Sequence, residues 1–119
     1  ESILTFDKNK NYEYIKSDMP PIGIVKYFTE SMVKSNTINL KDKTFVVYTD
    51  GVTEGYLKNG EELGAEGVQK IINNMTEVTP KIIVESIEKE LNWGAEKLRD
   101  DITCMAININ NTELIKKTK

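Results

Sequence analysis

Three carboxylates and a glycine stand where this sequence could do chemistry. Asp50 and Gly51 lie in TDGVTE at residues 49–54, and Asp100 and Asp101 lie in RDDIT at residues 99–103. The apolar run FVVY at residues 45–48 leads into the first group, and the apolar run ITCMAINI at residues 102–109 leaves the second. If these runs are antiparallel neighbours in a sheet, both acidic groups reach the same edge. Carboxylates that converge repel one another unless something neutralises them. A hard divalent cation does so, because magnesium and manganese prefer oxygen ligands and use a few carboxylates with water completing the shell. Water on such an ion becomes a nucleophile near neutral pH, and paired ions clamp an in-line phosphoryl displacement. Gly51 would let the backbone turn sharply and approach a ligand closely. The plainer alternatives are an Asp-Gly turn after a strand and a solvated acidic pair ahead of another.

These groups need elements to hold them. SILTF at residues 2–6 and YEYIK at residues 12–16 read as two strands joined by the polar loop DKNKN. Pro20, Pro21 and Gly23 interrupt regular structure. KYFTESMVK fits a short helix, although Tyr27 to Met32 stay open, and NTINL at residues 36–40 reads better as strand. Phe45 to Tyr48 have the pattern of a strand covered on both faces. Asn59-Gly60 marks a turn. Val68, Ile71, Ile72 and Met75 recur at helical spacing, as do Ile83, Val84, Ile87 and Leu91. Thr79-Pro80 supplies a cap and a first helical residue for the second helix, and Gly94 a stop. In the last apolar run Ile102, Cys104 and Ala106 face one way, and Thr103, Met105, Ile107 and Ile109 the other.

Composition narrows the classes. A chain of 119 residues holds one core. A net charge of −3 disfavours a nucleic-acid partner, and Lys116, Lys117 and Lys119 read as a solvated tail. Histidine is absent, which excludes histidine triads and the common histidine zinc sites. The lone Cys104 suits a reducing cytoplasm and reads as a small core residue. No stretch approaches the ~20 apolar residues of a membrane span. The chain starts at Glu1 without a methionine, so the expectation is a piece of something longer.

Taken together, YTDGVTEGYLKNGEELG, two helices and RDDITCMAI resemble the C-terminal half of the PPM family of metal-dependent serine/threonine phosphatases. The nearest pattern is the bacterial SpoIIE/RsbU branch, which typically reads YTDGVTEARN, GEEFG, helices and DDITLLV. MPPIGI resembles that branch's LPLGI element, so the likeness runs from about Ile3 to Ile109. It implies an α+β fold, a portion of an α-β-β-α sandwich of antiparallel sheets flanked by helices. It also implies that residues 1–119 are the C-terminal part of a single phosphatase domain. By motif position Asp50 and Asp100 resemble metal ligands of a two-metal centre holding Mn2+ or Mg2+, with Gly51 and Asp101 in support. No catalytic acid or base is assigned, and Glu54 reads as a structural or solvated acid.

The family carries two further acidic elements in its N-terminal half, and this chain has neither. The resemblance therefore implies a parent that hydrolyses phosphoserine or phosphothreonine, while this chain alone would be inactive. Its substrate would be a phosphorylated anti-sigma-factor antagonist, in sporulation or stress signalling. The place of action would be cytoplasmic, with any membrane tether on another domain. Uncovered strand edges would favour self-association. The competing reading is a catalytically inactive phosphatase-like module that binds proteins. A haloacid dehalogenase phosphotransferase needs an aspartate at position 48, where this chain has Tyr48. A calcium loop at Asp50 to Glu54 lacks the alternating oxygen ligands.

Overall fold

The computed structural model describes residues 2–16, 23–91 and 101–109. The fold is α+β. Strands β1 (Ser2–Asp7), β2 (Tyr12–Lys16), β3 (Lys43–Tyr48) and β4 (Cys104–Asn108) form one antiparallel sheet in the order β2-β1-β3-β4. The hairpin between β1 and β2 forms because Asp7 accepts the backbone N–H groups of Asn9 and Asn11 at 2.8 and 3.0 Å and the Asn11 side-chain amide at 2.9 Å. An aspartate that folds back on the following backbone in this way mimics a turn.

Helices α2 (Gly64–Asn73) and α3 (Pro80–Leu91) cover one face of the sheet. Leu4, Phe6, Val46 and Tyr48 share that face, and they form one core with Val68 and Ile72 of α2 and Ile83, Ile87 and Leu91 of α3. The α3 start follows its sequence, since the Ile82 N–H donates to the Thr79 hydroxyl at 3.2 Å. Two tyrosines tie the sheet to α2 by their tips. The Tyr12 hydroxyl donates to Asn73 Oδ1 at 2.6 Å, and the Gln69 amide donates to the Tyr14 hydroxyl at 2.7 Å. Burial, and then Tyr14 beside it, push the Tyr48 phenol up to about 12.

The opposite face carries Ile3, Ile15, Phe45, Val47, Met105 and Ile107, aligned across the sheet by the strand register. Phe45 is buried and Val47 half-buried, whereas Met105 and Ile107 are 50% and 40% exposed. The expected cover on both sides of Phe45 to Tyr48 thus holds closely on the helix side, and on the opposite face for Phe45 and in part for Val47. Asn36 to Leu40 are a correction: they form no strand, and this stretch lies largely exposed without a strand partner. A single 3-10 turn, Glu30–Met32, is the regular structure among residues 25–40. Gly94, residues 17–22 and the lysine tail lie outside the described residues.

Candidate functional site

The strand pairing brings the two motifs together. β3 and β4 are antiparallel with Tyr48 opposite Cys104, so the chain leaves β3 beside the point where it joins β4. The ladder continues one step further, with the Thr49 N–H donating to the Thr103 carbonyl at 3.0 Å. Asp50 and Asp101 both lie at this sheet end, just beyond the last paired residues, and both are exposed. Asp100 lies outside the described residues.

The chain does more at Asp50 than turn. It forms a short helix α1 (Asp50–Thr53), closed by the Glu54 N–H donating to the Asp50 carbonyl at 2.8 Å. Three contacts fix that helix. Val52 is fully buried in the core. A Cβ on Gly55 would meet the Leu91 side chain at 2.7 Å. A Cβ on Gly51 would collide with the backbone carbonyl oxygen of Asp101. Gly51 is therefore required by the close approach of one motif's backbone to the other, and its role is steric. Glu54 is exposed, as a solvated acid would be.

After α1 the chain makes a tight loop in which the Leu57 N–H donates to the Glu61 carbonyl at 2.7 Å. Gly60 takes a φ of 87° there, as the Asn59-Gly60 signal predicts. Leu63 then packs into the core and donates its N–H to the Gly55 carbonyl at 2.8 Å, which anchors the far side of α1.

Thr49 was not singled out by its sequence. Its hydroxyl accepts the Thr103 N–H at 3.2 Å and faces the carbonyl oxygens of Asp101 at 3.4 Å and Thr103 at 3.5 Å. The available signal was a threonine directly before the helical residue Asp50, a position where such a side chain ordinarily caps the helix. Here it makes no cap hydrogen bond.

The donors at this end are hard oxygens, which suit magnesium or manganese in kind. Asp50 and Asp101 alone are short of a full set. Among the described residues no group of three or more acidic, histidine or cysteine side chains is placed to hold an ion. Cys104 sits on the helix side of the sheet, half-buried, where burial pushes its thiol up and away from the thiolate. It has no part in such a site.

A family model, Stage II sporulation protein E (SpoIIE), matches residues 1–110 of the chain. No curated protein and no solved structure matches it.

Proposed function

The chain belongs to the SpoIIE family, and from that premise we propose that it is the C-terminal part of a PPM-type phosphatase domain acting on phosphoserine or phosphothreonine in a protein. The observation that carries this reading is the contact of Gly51 with the backbone of Asp101. It joins the two motifs that resemble the family's metal elements at one end of the sheet. Asp50 and Asp100 would hold Mn2+ or Mg2+, with Asp101 in support and the remaining ligands coming from the family's two further acidic elements. When bound, the ions would neutralise charge on the phosphate and activate water for attack.

The chain's own residues do the positioning. Buried Val52 anchors α1, and α1 presents the exposed Asp50 at its first residue. The β3–β4 pairing sets Asp101 beside it. Neither acid acts as an acid–base catalyst in this reading. The substrate would be a phosphorylated anti-sigma-factor antagonist, and the setting sporulation or stress signalling in the cytoplasm.

The test is manganese-dependent release of phosphate from a phosphoserine peptide by the protein that carries this chain, with Asp50→Asn beside it. Turnover lost on chelation and in Asp50→Asn supports the proposal. Turnover that survives Asp50→Asn contradicts it. A second reading, an inactive phosphatase-like interaction module, draws on the exposed Ile24, Tyr27, Phe28 and Val33. It predicts no turnover in either protein and binding of a partner through that stretch.

A further inference from the structure

We propose that Thr49 is a positioning residue, whose hydroxyl holds the backbone of Asp101 to Thr103 against the end of β3 and so sets Asp101 relative to Asp50. This rests on the reading of Asp50 as a metal ligand and of Asp101 as its support. The geometry is specific. A residue at the N-cap of a helix normally turns its hydroxyl toward the helix's own free N–H groups. Thr49 makes no side-chain cap bond, its own carbonyl accepting the Val52 N–H at 3.0 Å, and spends its hydroxyl on the neighbouring strand instead. One hydroxyl offers one proton and two lone pairs. Its oxygen accepts the Thr103 N–H at 3.2 Å, and its proton is left for the carbonyl of Asp101 at 3.4 Å or of Thr103 at 3.5 Å.

The Thr103 carbonyl already receives the Thr49 N–H at 3.0 Å. The Asp101 carbonyl is the oxygen that Gly51 makes room for. Thr49 and Gly51 therefore act on the same peptide group from either side of Asp50. One attracts it, and the other permits its approach. Beyond Tyr48 and Cys104 the regular ladder has ended. The hydroxyl therefore adds to the Thr49 backbone bond and the Gly51 contact in defining the path of the chain at Asp101.

The test uses the full chain, with Thr49→Val to remove the hydroxyl and keep the shape, and Thr49→Ser to restore it. Amide exchange at Thr103 reports the bond without any metal. Manganese, added alone, is followed through broadening of the amide resonances of residues 49–52 and 101–103. In Thr49→Val, Thr103 exchange should rise and manganese affinity fall, each by about three- to tenfold, the worth of one partly solvated hydrogen bond. Thr49→Ser should recover both, while the urea midpoint changes little across the series.

Unchanged exchange and affinity in Thr49→Val would overturn the proposal. So would a loss that tracks global stability and is not rescued by serine, because that is a structural role. If manganese broadens nothing in the unsubstituted chain while Thr103 remains protected by Thr49, the metal reading fails and the positioning role fails with it. If manganese binds and Thr49→Val does not weaken it, the positioning role alone is lost.

Discussion

Gly51 and the carbonyl oxygen of Asp101 stand so close that no side-chain carbon fits between them. The obstacle is backbone, so it cannot swing aside as a flexible side chain would. Gly51→Ala should force the start of β4 away from α1. Overpacking of this kind costs about 1–3 kcal/mol. The expected result is a lower urea midpoint with an unchanged slope, together with shifted amide resonances at residues 101–103. A midpoint equal to that of the unsubstituted chain would mean that the two motifs are not held in contact.

Lys10 fastens the β1–β2 hairpin to the end of α2. Its ammonium donates to the carbonyl oxygen of Asn73 at 3.0 Å, one of the groups that a helix end leaves without a partner, and to that of Met75 just beyond the helix at 3.2 Å. Lys10→Met keeps the aliphatic stem and removes both bonds. A loss of about 1 kcal/mol is expected, because the site is partly solvated. Denaturant unfolding reads it directly.

Asp7 should give the fold part of its acid sensitivity. The Asn11 side chain, then the Asn11 backbone N–H, with a smaller contribution from that of Asn9, hold its carboxyl below the ordinary range. A carboxyl lowered in the folded state stabilises it above the unfolded value of about 3.9, and loses that contribution as pH falls through the lower folded value. Asp7→Asn should therefore flatten the decline of the urea midpoint below about pH 4. Tyr48 bounds the alkaline side. Its phenol is raised to about 12, so it favours the fold below the ordinary phenol value of about 10 and loses that as pH rises toward the folded value. Tyr48→Phe should remove the last tyrosinate absorbance step.

The uncovered face of the sheet should make the chain associate. Met105 and Ile107 are exposed on β4, an edge strand of the described sheet, in line with half-buried Val47, Ile3 and Ile15. Apolar area of this kind favours contact with another surface. Sedimentation should show a concentration-dependent rise in mass that Met105→Lys and Ile107→Lys suppress. A monomer at every concentration would contradict this.

Much of this architecture is legible in the residues. Alternation in YEYIK reports a strand that is found paired, and the stripes Val68/Ile71/Ile72/Met75 and Ile83/Val84/Ile87/Leu91 report helix faces that are found buried at Val68, Ile72, Ile83, Ile87 and Leu91 and half-buried at Ile71, Met75 and Val84. The neighbouring placement of β3 and β4 follows from two apolar runs that needed a common core. NTINL failed because alternation shows that a strand is feasible, whereas a strand also needs a partner edge, and among the described residues none pairs with residues 36–40. At Asp50, Asp-Gly signals a turn, and nothing local shows that buried Val52 will wind it into a helix. The role of Thr49 is legible only once residue 103 lies beside it, because the contact spans 54 positions of sequence. The antiparallel pairing of β3 and β4 puts Asp50 and Asp101 at one sheet end, while Asp100, the other expected ligand, lies outside the described residues.

The most direct test of the account is a calorimetric manganese titration of this chain and of Asp50→Asn. Weak binding that Asp50→Asn abolishes is the predicted result, since Asp50 is proposed as one ligand of a site that Asp50 and Asp101 alone do not complete. Identical isotherms in the two proteins, or no binding in either, would contradict the assignment of Asp50.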